Sequence, residues 1–220
     1  MKRPPAILGI GKNYPSHASE LGAEPPTEPV LFHKNPAALI ADGEPIVLPP
    51  VVRTPDPGVD YEGELAVILG WDAKDVPEAE ALSVISHVAA ANDVSQRWWQ
   101  WQAGGGQWCR GKSFDSFCPL GDPLPISQVD DLQNLLITTL LNGEVVQRDS
   151  TASMLFPVAR LVAELSRGTT LLAGTVLLTG TPAGVGAGRT PPRFLQPGDH
   201  VEVRVSGVGR VANPVRLATS

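Results

Sequence analysis

Two glutamates one residue apart, Glu62 and Glu64, open the stretch YEGELAVILG at 61–70, which alternates at first and then runs continuously apolar. That pattern predicts a strand entering a buried sheet. Because strand side chains switch faces at each residue, both carboxylates point the same way, one repeat of ~6.6 Å apart. Burying them side by side adds repulsion to the loss of water. A divalent cation offsets both, and ligation by oxygen alone favours a hard ion, Mg²⁺ first, with Mn²⁺ and Ca²⁺ as rivals. The alternative is a solvent-facing pair on an amphipathic strand. The apolar run after Glu64 weighs against it.

Other elements must bring partners to this pair. VISHVAAAN at 84–92 reads as a second strand. Asp93 then falls where strand gives way to a short helix over QRWWQWQ, with Ser95 as its N-cap. Three carboxylates around a dication carry a net charge of about −1 and leave positions open to water or substrate. On that helix Arg97 and Gln100, four and seven residues after Asp93, lie toward the metal side. A guanidinium there offers bidentate recognition of a carboxylate, or makes a structural ion pair. His17 and Glu20, three apart, can meet on one face of a short helical turn, where the carboxylate orients the imidazole and leaves its other nitrogen basic; an N-terminal surface pair is the bland alternative. LLITTLLNGEVVQ at 135–147 predicts a hairpin turning at Asn142-Gly143. Apolar spacings of three and four predict a helix over 154–166, with Pro157 in its first turn. TVLLTGTPAGVG and DHVEVRVSGVGRVANPV read as strands around a Gly-rich loop. That loop lacks GxGxxG spacing and leads into a strand, so it is no nucleotide cradle.

Composition sets the outer bounds. At 220 residues, 42% hydrophobic and 18% charged, one globular domain is expected. A net charge of −6 with scattered basic residues argues against nucleic acid. No apolar run approaches membrane length and the first residues do not form a signal peptide, so a cytoplasmic protein is expected. Cys109 and Cys118 form no CxxC pair and read as free structural thiols. The 22 glycines and 22 prolines punctuate short apolar runs, as many turns between short strands would.

Several segments in order, NYPSHASELG at 13–22, EPVLFHKNPAALI at 28–40, VDYEGELAVILG at 59–70, ANDVSQRWWQ at 91–100, GKSFDSFCPLG at 111–121 and LTGTPAGVG at 178–186, resemble the fumarylacetoacetate hydrolase family across almost the whole chain. The resemblance implies an α+β, mainly β fold: a rolled mixed sheet, sandwich- or barrel-like, with a few short helices, in one catalytic domain over 1–220 whose residues 1–25 include a mobile lid. It implies a homodimer. It makes Glu62, Glu64 and Asp93 metal ligands, Lys112 the cation beside the substrate's oxygens, His17 and Glu20 the catalytic pair, and Arg97, Gln100 and Thr181 substrate contacts. The implied activity is hydrolysis of a carbon–carbon bond in a small 2-oxo acid of acylpyruvate or fumarylpyruvate type, through a metal-stabilised enolate. Decarboxylation of oxaloacetate-like acids and isomerisation of hydroxymuconate-type diacids share that enolate. A reading of another class is a metal-stabilised domain that binds without catalysis. Trp98, where the family often has an acidic residue, and Asn35, where it often has proline, bear on substrate identity.

Overall fold

The computed structural model describes residues 3–53 and 58–218. In chain order its strands are β1 (Ile7–Gly11), β2 (Val30–Lys34), β3 (Leu39–Ile40), β4 (Ile46–Leu48), β5 (Val59–Asp60), β6 (Gly63–Leu69), β7 (Ile85–Asn92) and β8 (Ser95–Gln96). They continue as β9 (Cys118–Pro119), β10 (Leu124–Pro125), β11 (Leu136–Leu141), β12 (Glu144–Ser150), β13 (Val176–Leu178), β14 (His200–Val205) and β15 (Gly209–Leu217). Three α-helices, α1 (Pro15–Glu20), α2 (Pro50–Arg53) and α3 (Val158–Ser166), complete a mainly β architecture. One mixed sheet has the order β10-β7-β6-β13-β1-β2, a second β12-β11-β14-β15-β4, and β3-β9 and β5-β8 form small pairs. Each large sheet keeps two edges; neither closes into a barrel.

Alternation along β6 decides which face holds what. Leu65, Val67 and Leu69 join Val88 of β7, Val203 and Val205 of β14, Val211 of β15 and Leu161 and Val162 of α3 in the main core. Full burial of each such side chain is worth ~1.5–3 kcal/mol. Ala66 and Ile68 face the other way, with Ala89, Ala91, Val176 and Leu178. Glu64 shares this second face by the same period of two.

The hairpin turns at Asn142 (φ 54) and Gly143 (φ 86), as its sequence requires. Two helices begin later than expected. Helix α3 starts at Val158 with Pro157 as its N-cap, so Met154 and Leu155 lie outside it; a residue preceding proline is pushed out of helical conformation, which stops the helix from extending back through Phe156. Ser95 does not cap a helix either: it pairs in β8, and its Oγ donates to the Asp93 carbonyl. Gln96 takes over, its Oε1 accepting from the Trp99 amide at 2.7 Å ahead of a π-helical turn at Trp99–Ala103. Within the segment expected to carry a lid, Ile7–Gly11 is a buried strand between β13 and β2. No described helix is long and apolar enough to cross a membrane.

Candidate active site

The register of β6 on β7 builds the acidic cluster. Gly63 pairs with Asn92 and Glu64 with Ala91. One step beyond the ladder the Asp93 amide donates to the Glu62 carbonyl at 2.8 Å, and the Asn92 side chain accepts from the Glu62 amide at 3.0 Å. Glu62 therefore stands opposite Asp93, and Glu64 follows on the same face. All three are buried, and each offers an oxygen within 4.8 Å of the others'. Gly63 permits this, since a Cβ there would come within 2.0 Å of Thr139 Oγ1 on the other sheet.

Three buried cations surround the cluster. Lys112 Nζ donates to Glu62 Oε2 and to Asp93 Oδ2, each at 2.6 Å. Lys34 Nζ donates to Asp93 Oδ1 at 2.5 Å and to the Val94 carbonyl at 3.1 Å. Arg97 donates through Nε to Asp60 at 2.9 Å and through one terminal nitrogen to Glu62 at 2.6 Å and Gln100 Oε1 at 2.8 Å. Burial opposes ionisation of Glu62, but Lys112 and Arg97 outweigh it and hold this carboxyl far below the usual range. Glu64 goes the other way. Burial, with Asp93 and Glu62 beside it, pushes its carboxyl well above the usual range, against the charge of Lys112 and the Gly180 amide, which donates to it at 2.7 Å. A buried carboxylate without a cation of its own, beside two more, fits a hard divalent ion bound by oxygen.

Across the site, α1 brings His17 to the pocket wall. Its Nδ1 lies 3.4 Å from Glu20 Oε2, and Glu20 Oε1 accepts from the Gly184 amide at 2.8 Å, which ties the helix to the Gly-rich loop. Gly188 makes room for this, because a Cβ there would lie 2.2 Å from the Glu20 carboxyl carbon. The pocket is lined on its polar side by His17, Glu62, Arg97, Gln100, Lys112 and Thr181 and elsewhere by Lys12, Ile10, Leu21, Trp101 and Trp108.

Of the nine residues singled out in the sequence, six line this pocket; Glu20 bonds to His17 and Asp93 to Lys112, and Glu64 lies behind, within 4.8 Å of Glu62 and Asp93. Two of the six also make structural bonds: Arg97 donates through Nε and Nη1 to Asp60, Glu62 and Gln100, while its Nη2 has no hydrogen-bond partner among the described residues, and Thr181 Oγ1 donates to the Gly63 carbonyl and accepts from Gln147 Nε2. Sequence reasoning missed Lys34, Asp60 and Gln147. Asp60 anchors Arg97 and also accepts from the Gly186 and Ala187 amides at 2.7 and 2.9 Å. Gln147 joins the Gly63 amide to the loop at Thr181 and Pro182. Each is a polar residue inside or beside an apolar strand, the only signal available. Trp98 stacks edge-on to Trp99 at 5.1 Å, and Asn35 caps the turn Pro36–Ala38 through the Ala37 amide at 3.0 Å.

A mainly β scaffold with a cluster of three buried carboxylates that could hold a metal ion, behind a pocket lined by Glu62, Lys112 and His17, defines an enzyme-type site. The chain belongs to the fumarylacetoacetate hydrolase family: residues 6–216 match the model described as fumarylacetoacetate (FAA) hydrolase C-terminal. The mitochondrial oxaloacetate tautomerase FAHD2A of Homo sapiens is 40% identical over 214 residues, 97% of this chain and 67% of that protein. The crystal structure of 5-carboxymethyl-2-hydroxymuconate delta-isomerase from Mycobacterium smegmatis superposes with a TM-score of 0.84 at 40% identity, covering 99% of this chain and 81% of that one. Fumarylpyruvate hydrolase from Pseudomonas aeruginosa, in complex with Mn²⁺ and pyruvate, gives a TM-score of 0.84 at 30% identity, covering 98% and 91%.

Proposed function

We propose that this protein is a divalent-metal-dependent enzyme that shifts a proton between the enol and keto forms of a small 2-oxo acid of oxaloacetate type. The observation that carries the reading is the buried cluster of Glu62, Glu64 and Asp93, which meets the pocket at Glu62, where Lys112 and His17 also line it. Glu62, Glu64 and Asp93 would hold Mg²⁺ or Mn²⁺. When bound, such an ion draws on the 2-oxo oxygen and stabilises negative charge developing there.

The protein's own groups supply the rest. Lys112, fixed by Glu62 and Asp93, adds positive charge beside that oxygen. Gln100 is held through its Oε1 by Arg97, which leaves its amide nitrogen to donate to the substrate carboxylate. His17, oriented through Nδ1 by Glu20, keeps Nε2 to exchange the proton that leaves the enol oxygen for one delivered to the adjacent carbon. Arg97 and Thr181 serve by positioning Glu62 and the loop at Gly63, in keeping with the bonds they make. The likeness to a tautomerase and an isomerase at 40% identity supports a proton shift.

Hydrolysis of an acylpyruvate or fumarylpyruvate is the second reading, supported by the likeness to fumarylpyruvate hydrolase. There His17 would activate water against the distal carbonyl. A non-catalytic metal-stabilised domain has no use for a histidine oriented at the pocket.

The test follows the ultraviolet absorbance of enol-oxaloacetate, with acetylpyruvate and fumarylpyruvate alongside, in Mg²⁺ or Mn²⁺ and after chelation, with Glu64→Ala as control. Metal-dependent loss of enol with oxaloacetate conserved is the expected result. Release of pyruvate with acetate or fumarate would make the enzyme a hydrolase, and release of carbon dioxide a decarboxylase. Indifference of all substrates to metal would sink the enzymatic reading.

A further inference from the structure

Lys12 follows β1 directly and holds φ 58, in the left-handed region that residues other than glycine rarely adopt. Its neighbours impose this. The buried Asn13 side chain donates to the Phe156 and Thr179 carbonyls at 3.1 and 2.7 Å and accepts from the Phe156 amide at 2.8 Å, and the Asn13 carbonyl accepts from the Leu155 amide at 2.8 Å. Gly180 closes against it, since a Cβ there would stand 2.6 Å from Asn13 Cβ. An unfavoured backbone that its surroundings over-determine, at the wall of a pocket, points to function.

The side chain that this turn delivers differs from the other cations of the pocket. Arg97 is bound to Asp60 and Glu62, and Lys112 to Glu62 and Asp93. Lys12 lines the same pocket, half-buried, and makes no ion pair or side-chain hydrogen bond among the described residues. Among the residues that line this pocket the one carboxylate is Glu62, and it is already bonded to Arg97 and Lys112. An ammonium partly stripped of water and left without a counter-charge favours an anion brought by the ligand.

We infer that Lys12 receives the second carboxylate of a dicarboxylic 2-oxo acid, the 2-oxo end lying toward Glu62 and Lys112, and that it thereby selects diacids over 2-oxo acids with an apolar tail. This rests on the reading that the pocket takes 2-oxo acids.

The test compares 2-oxoglutarate with 2-oxopentanoate, which has the same carbon chain with a methyl group in place of the terminal carboxylate. Dissociation constants are measured by calorimetry on the Mn²⁺-loaded protein, for wild type, Lys12→Met, Lys12→Gly and Lys12→Arg. Glycine relieves the backbone conformation, so that variant is expected to fold. Wild type should bind the diacid at least about 10-fold tighter, as a charge-assisted contact allows. Met and Gly should weaken 2-oxoglutarate by about 10- to 100-fold, leave 2-oxopentanoate within about 2-fold, and Arg should keep most of the preference. Equal losses for both ligands, or none for either, would overturn the role of Lys12. If the wild-type protein binds Mn²⁺ but neither acid, the 2-oxo acid reading itself falls, and this inference with it.

Discussion

The acidic wall and the α1 wall of the pocket are built in opposite ways. Glu62, Glu64 and Asp93 sit buried at the ends of β6 and β7, their positions fixed by the strand ladder, by bonds from Lys112, Lys34 and Arg97 to Glu62 and Asp93, and by the Gly180 amide on Glu64. His17 and Glu20 ride on a helix of six residues with no side-chain cap, joined to each other at 3.4 Å and to the rest of the site through the Gly184 amide. A group that holds an ion gains from rigidity, because like charges must be kept together against their repulsion. A group that exchanges protons with a ligand must also let the ligand in. On the proposed function, this contrast would separate ion holding from proton transfer, residue by residue.

The largest effects should separate the two walls directly. His17→Ala and Glu64→Gln are each expected to lower turnover by about 10²- to 10⁴-fold, the range for removing a general base, with a comparable loss for a ligand. Thermal unfolding with and without Mn²⁺ tells them apart: His17→Ala keeps the rise in Tm that the ion gives, and Glu64→Gln loses it. In the absence of metal Glu64→Gln should be the more stable protein, by about 1 kcal/mol or ~2–4 °C, since it removes a carboxyl whose ionisation is opposed by burial, Asp93 and Glu62 and keeps an acceptor for Gly180. An ion-induced rise in Tm that survives Glu64→Gln would erase the division between the walls.

Next comes Lys112→Met, which leaves Glu62 and Asp93 without the ammonium between them. Breaking a buried pair of this kind costs about 3–5 kcal/mol, so denaturant unfolding of the metal-free protein should shift by that order, and Mn²⁺ should recover part of it. Unchanged stability would mean that Lys112 is not held between these carboxylates in solution.

The smallest effect lies away from both walls. Burial opposes ionisation of Asp199, but Arg193 at 2.6 Å, Asn142 at 2.8 Å and the Gln196 amide at 2.7 Å outweigh it and lower its pKa. A carboxyl held low in the folded state stabilises above the ordinary aspartate range and stops doing so as pH falls through it. Wild type should therefore lose more stability than Asp199→Asn on acidification from neutral pH, while metal binding at neutral pH stays equal. Parallel pH profiles would remove Asp199 from the account.

The amino-acid sequence determined strands β6 and β7, the β11–β12 hairpin, the strands β13 to β15 around the Gly-rich loop and the shared face of Glu62 and Glu64. Period-two alternation through Glu62 and Glu64, the apolar run after them and the Asn142-Gly143 turn are local properties of the chain, and local physics reads them correctly. It read two helix starts less well, because Pro157 and the pairing of Ser95 in β8 act through backbone conformation and strand partnership that side-chain spacing does not carry. What only the tertiary structure decided is which distant groups meet. Lys34 reaches Asp93 across 59 positions, Gln147 reaches the Gly63 amide across 84, and Asn13 holds Phe156 across 143, the contact that turns Lys12 toward the pocket. The reason is that a lysine in a strand reads the same whether it ends in water or on a buried carboxylate. The sheet order and register that bring the carboxylate to it are set by the packing of the whole core.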